Sequence, residues 1–298
     1  GVVSLQSAAA SEAAIRVLDI EFAEAASDGC TSPSASNVEN RLYGLAEPIF
    51  LYVNRDKLPV MQDYLEFVIS EDAAPVVEAA NFSAPSSSAI ETNLLALSGE
   101  EAGRIFSTDA VVFEPPASLT EPITVSGSGS GVTMLKGITD PLKAQAEQAQ
   151  QQFMAQYMVG GQAVGYQRLC SGEADVIAVT NDVPADALAE CEAAGIETMR
   201  IDIGSQATVL VANGEDDYAA CLTTDQISTI WSAESTETVI NWQDVDADFP
   251  DQAMTLFGMT AGTAEADLLL ARPGMVTQPV RSDTEQNSNP LYRAAATA

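Results

Sequence analysis

Residues 123–135 set a short apolar run, Ile123-Thr-Val125, just before Gly127-Ser-Gly-Ser-Gly131 and the start of a helical pattern. Glycines let the backbone turn with positive φ and approach a ligand closely. Serines add hydroxyls, and the N–H groups at a helix start carry about half a positive charge. This is an anion cradle in outline, suited to a small negative ligand. The stretch has neither the sixth-position glycine of the dinucleotide fingerprint nor the Gly-Lys-Ser/Thr of a P-loop, and a plain strand-to-helix connection fits the same residues.

Other candidate chemistry is sparse. A second glycine turn, Met259-Thr-Ala-Gly-Thr263, leads into a helical pattern over 264–271, with Met259 read as packing. Asp244, Asp246 and Asp248 alternate like a calcium loop but lack the closing glutamate, which favours a solvated acidic turn. Trp231 and Trp242 read as core. The chain has no histidine, which removes the Ser-His-Asp triad, the zinc-histidine site and the histidine general base, and there is no Gly-x-Ser-x-Gly elbow. No enzyme activity, metal or cofactor is expected.

The chain of 298 residues, 46% hydrophobic, is long enough for two lobes with proper cores. Twelve basic against 43 acidic residues give a net charge of -31, which repels nucleic acid phosphates and anionic membranes. With only three lysines, this resembles a salt-adapted surface. No apolar run approaches the ~18 residues of a membrane span, and Gly1-Val-Val-Ser-Leu5 lacks a basic signal-peptide region. Cys30, Cys170, Cys191 and Cys221 are even in number with no CxxC pair, favouring two structural disulfides in an exported protein over free thiols.

Periodicity predicts strands at 49–53, 175–179, 197–203, 207–211 and 254–257. Helices are predicted at 58–69, 73–80, 141–157, 165–170, 185–195, 224–231 and 264–271. Residues 84–121 read as a Ser/Pro/Ala-rich connector with helical pieces at 90–97 and 99–106. Alternating β and α elements predict a three-layer α/β protein.

Several segments together resemble the phosphate-binding proteins of ABC transporters, which are class II periplasmic binding proteins with two α/β lobes around a cleft. They are Gly127-Ser-Gly-Ser-Gly131, the segment 168–180 from Arg168 to Thr180, the segment 221–231 from Cys221 to Trp231 with Asn241-Trp242, Ala261-Gly-Thr263, Arg281-Ser-Asp283, and the segment 43–54 from Tyr43 to Asn54. The last closes the family's chain but here precedes the Gly/Ser loop, so the order looks circularly permuted or exchanged between neighbouring chains. The resemblance implies one lobe from residues 41–205 and the other from 1–40 plus 206–298, with the termini close together. It pairs Cys170 with Cys191 and Cys30 with Cys221.

The resemblance also implies an oxyanion, phosphate first, held by Ser128, Ser130, Gly131, Val132, Thr180, Asn181, Gly262, Thr263 and Arg281, for uptake through an ABC permease outside the cytoplasm. The chain departs from the family pattern in its second loop, where Gly161-Gln-Ala-Val-Gly165 loses a hydroxyl, and at Asn181 and Ala261. These losses, with the permuted order and the long connector, motivate an alternative: an extracellular structural or filament-forming module that self-associates through exchanged segments.

Overall fold

The computed structural model describes residues 1–11, 14–22, 29–98, 118–258, 264–272, 276, 280–287 and 289–298. The strands are β1 (Val2–Ser4), β2 (Ile15–Val17), β3 (Asp19–Glu21), β4 (Ala46–Asn54), β5 (Leu119–Gly127), β6 (Phe153–Val159), β7 (Val176–Val179), β8 (Thr198–Asn213) and β9 (Cys221–Thr223), with a short pair, β10 (Phe257–Gly258) and β11 (Glu285–Gln286). The helices are α1 (Leu5–Ala9), α2 (Ala35–Glu39), α3 (Leu58–Val68), α4 (Ala74–Ala79), α5 (Ser87–Ser98), α6 (Gly129–Gln148), α7 (Gln162–Cys170), α8 (Ala185–Ala193), α9 (Thr224–Trp231), α10 (Ala264–Ala271) and α11 (Pro290–Thr297).

The chain divides into two compact units, residues 48–205 and residues 1–47 with 206–298. Residues 41–47, expected with the first of these, belong instead with the second. Their apolar side chains decide it: Tyr43 and Leu45 are buried in the core that holds Val209 and Trp231, and the Tyr43 hydroxyl donates to the Thr208 carbonyl at 3.1 Å.

Residues 48–205 form a three-layer α/β/α unit. Successive side chains on a strand face opposite ways, and β4 shows the result. Ile49, Leu51 and Val53 join one core with Met61 and Leu65 of α3 and Met134, Leu135 and Ile138 of α6. Phe50 and Tyr52 join a second with Leu169 of α7 and Val183. β7 divides likewise, with Val176 and Ala178 on the α6 face and Ile177 and Val179 on the α7 face. The sheet runs β4, β7, β5, β6, with β5 parallel to both β6 and β7 and β4 antiparallel to β7.

Two sequence expectations for this unit are corrected. The helix expected over 141–157 is two elements: α6 begins at Gly129 and ends at Gln148, and Phe153–Val159 is strand β6. The Gln/Ala composition of 144–152 favours helix, but Phe153 finds its burial beside β5. Strands 197–203 and 207–211 are one 16-residue strand, β8, running through Gly204. The helix expected at 90–97 within the connector is present as α5, and it is docked: Asn93 both donates to and accepts from the Asp202 backbone. The piece expected at 99–106 lies outside the described residues.

In the other unit β1 and β2 both pair antiparallel with the last third of β8, with Val2 opposite Leu210 and Ile15 opposite Asn213. β3 runs parallel to β9. The first and last elements lie together there, since Arg293 Nε of α11 donates to the Val2 carbonyl at 2.6 Å. Residues 254–257, expected as a strand, contribute only Phe257 to the short β10. The disulfides are Cys30–Cys221, beside β9, and Cys170–Cys191, which staples α7 to α8. Among the described residues no helix is long and apolar enough to cross a membrane.

Candidate anion site

Three loops leave the same edge of the parallel β6-β5-β7 strands, at their C-terminal ends. α6 packs on one face of the sheet and α7 on the other. Helices leaving to opposite faces open a crevice at such an edge, the usual ligand position in open α/β sheets.

The first loop is fixed by close packing on β7. Ser128 N–H donates to the Ala178 carbonyl at 2.9 Å, and a methyl group on Gly131 would lie 2.7 Å from that carbonyl carbon. Gly127 has φ +137° and would clash with the same carbonyl if it carried a side chain, so both conformation and space demand glycine. Ser128 is the N-cap of α6, its hydroxyl accepting the Gly131 N–H at 3.1 Å, and Val132 N–H already bonds the Ser128 carbonyl. Three of the expected ligand residues, Ser128, Gly131 and Val132, therefore build the helix start. What they present outward is the positive end of a 20-residue helix, led by Gly129 and Ser130.

The third loop follows β7. Thr180 is 6% exposed, and its hydroxyl has no hydrogen-bond partner among the described residues. By strand alternation it continues the face of Ala178, on which the start of α6 packs. The backbone N–H groups of Thr180 and Asn181 are both taken by Gln162 Oε1, at 3.1 and 3.2 Å. The Tyr166 hydroxyl approaches the same oxygen at 3.5 Å. Gln162 opens α7 from the second loop, which sequence reasoning marks only for a lost hydroxyl. A Gly-Gly-Gln sequence before a helix is the available signal.

Arg168, on α7, is also absent from the expected site residues. Its Nη1 donates to Ser126 Oγ at 3.1 Å, and Ser126 in turn donates to the Met158 carbonyl at 3.0 Å. A methyl group on Gly160 would lie 3.2 Å from the same Nη1. The nearby Asp182 is occupied: it pairs with Arg200 Nε at 2.7 Å and accepts from the Tyr52 hydroxyl at 3.3 Å. Burial raises the Tyr52 phenol pKa, opposed by the Val183 N–H that the phenol oxygen accepts. Asp175, at the opposite, N-terminal end of β7, accepts the Thr124 N–H at 2.9 Å and faces Lys57 at 3.4 Å.

The remaining expected residues belong to the other unit. Gly262 and Thr263, with Ala261 and Met259, lie outside the described residues. Arg281 is 3% exposed and forms a bidentate pair with Asp283, at 2.6 and 2.8 Å, while Nη1 donates to the Ile230 carbonyl at 3.0 Å. That bonding fastens the end of α9. Of the three alternating aspartates, Asp244 accepts the Asn241 N–H, and Asp246 accepts from the Asp248 N–H and from Gln226 Nε2. Among the described residues there is no cluster of three or more metal-ligating side chains. Trp231 is buried, and Trp242 stacks edge-on with Tyr218 and Phe249.

A family model described as a PBP superfamily domain matches residues 96–272. The chain is 22% identical over 150 residues to Protein SphX of Synechocystis sp. and 23% identical over 107 residues to Protein SphX of Synechococcus elongatus. These matches span 50% and 35% of this chain but only 44% and 32% of the relatives. The chain thus covers less than half of each. The crystal structure of a phosphate ABC transporter, phosphate-binding protein from Streptococcus pneumoniae superposes with a TM-score of 0.53 at 16% identity, covering 77% of this chain and 72% of that one. A possible phosphate binding protein from Planctomyces limnophilus gives 0.44 at 20% identity, over 60% and 61% of the two chains. The first of these shows a shared fold.

Proposed function

This chain belongs to the PBP superfamily, and from that premise we propose that it binds a small oxyanion, phosphate first, outside the cytoplasm for uptake through an ABC transporter. The observation that carries the reading is the edge where β5, β6 and β7 end. There the start of α6, the start of α7 and the Thr180 hydroxyl gather hydrogen-bond donors and positive helix ends around one crevice. Asp182, which follows the third loop, is already committed to Arg200, so it opposes an anion less than the net charge of -31 would suggest.

The fold shared with a phosphate-binding protein of Streptococcus pneumoniae supports phosphate as the first ligand to try. Two disulfides support an oxidising compartment. The order of segments, with Tyr43-Gly-Leu-Ala ahead of the Gly/Ser loop, fits a permuted chain, and residues 2–4 and 15–21 pair within their own chain. Thermal unfolding with added phosphate, sulfate and molybdate tests the reading. A bound anion raises Tm with concentration, by about 2.7 kcal/mol of stability at a hundred times Kd. No rise at about 10 mM of any of the three, well above the Kd expected of a transport protein, would overturn it.

A further inference from the structure

We infer that Gln162 and Arg168 of α7 are ligand-recognising residues of this site, Gln162 as an oriented amide donor and Arg168 as its positive charge. The inference rests on the oxyanion reading above and adds residues to it.

The orientation of Gln162 follows from its partners. Two backbone N–H groups and a phenol converge on one end of the amide. Only an oxygen can sit there, because an NH2 group would face donors. The Nε2 group must then point away from that nest, and it has no hydrogen-bond partner among the described residues. An NH2 group offers donors and no acceptor, so it suits an oxyanion. The backbone donors of Thr180 and Asn181 are spent on holding this amide, which shifts recognition from the strand end to the Gln162 side chain.

Arg168 supplies what the amide lacks. Its guanidinium is half-buried beside Gly160, held by a neutral serine, and pairs with no carboxylate among the described residues. In a chain with 43 acidic residues, a sheltered arginine without a carboxylate is placed to compensate an anion from elsewhere. The Thr180 hydroxyl, without a partner among the described residues, offers a further donor at the end of β7. A tetrahedral oxyanion such as inorganic phosphate or sulfate is the chemistry that an amide donor and a guanidinium recognise together.

Gln162→Glu is the sharp test. A glutamate keeps an oxygen in the nest, so the fold is retained, but turns the outward donor into an anionic acceptor. Calorimetry with inorganic phosphate and with sulfate should show affinity falling about a hundredfold or more, with Tm equal to or above that of the unchanged chain. Arg168→Met should lose at least about tenfold, and Arg168→Lys should recover part of it. If the unchanged chain binds either anion and Gln162→Glu or Arg168→Met binds within threefold of it, the inference is overturned while the oxyanion reading stands. If the unchanged chain binds neither anion, both fall.

Discussion

Gly131 meets Ala178 so closely that a single methyl group would lie 2.7 Å from the Ala178 carbonyl carbon. That contact ties the start of α6 to β7, and with it the first loop of the site to the third.

Substitution at this contact should damage stability and binding together. Gly127→Ala adds both a clash with the Ala178 carbonyl and a strained φ of +137°, and is expected to cost about 2–4 kcal/mol. Urea unfolding checks it. A loss below about 0.5 kcal/mol, on the order of an ordinary surface substitution, would contradict this packing.

The two disulfides should differ in weight. Chain-entropy arguments give about 3 kcal/mol for Cys170–Cys191, whose ends are 21 residues apart, and about 5 kcal/mol for Cys30–Cys221, whose ends are 191 apart. Paired Cys→Ser variants, each unfolded in urea, should rank in that order. The reverse ranking would mean that the long loop stays compact after unfolding.

Much of this architecture is legible in the sequence, and the failures have physical causes. The helix at 224–231 falls where its periodicity puts it, because its apolar face, with Ile227, Ile230 and Trp231, must be buried. Strand β6 reads as helix because its neighbours, not its own residues, supply the helical composition. β8 reads as two strands because Gly204, with φ +131°, looks locally like a turn although the strand continues. The first loop is legible as a glycine-rich helix start at Ser128-Gly-Ser-Gly131. The part played by Gln162 is not, because an amide aligned by two backbone donors 18 and 19 residues away leaves no local pattern.

The Arg281–Asp283 pair sets an acid limit on stability. Its hydrogen bonds from Arg281 hold the Asp283 carboxyl well below the usual carboxylate range. A depressed folded pKa contributes stability above the unfolded value of about 3.9, and that contribution is lost as pH falls through the folded value. Asp283→Asn should therefore destabilise at pH 7 by about 2–3 kcal/mol, since Arg281 stays buried without its counter-charge. The difference between the variant and the unchanged chain should shrink below about pH 4. A difference in Tm that stays constant from about pH 7 to about pH 2 would contradict this.

Salt should stabilise the molecule. With a net charge of -31, self-repulsion in the compact state is screened as the Debye length falls from about 10 Å at 0.1 M to about 3 Å at 1 M. Tm should rise between low and molar sodium chloride, and a fall would mean that surface ion pairs outweigh the repulsion.

Whether the loops around Ser128, Gln162 and Thr180 hold a small oxyanion is tested most directly by isothermal calorimetry of desalted protein with inorganic phosphate, sulfate and molybdate. The expected result is one site per chain with Kd below about 1 mM, equivalent to at least about 4 kcal/mol, for at least one of the three. No saturable heat with any of them would contradict it.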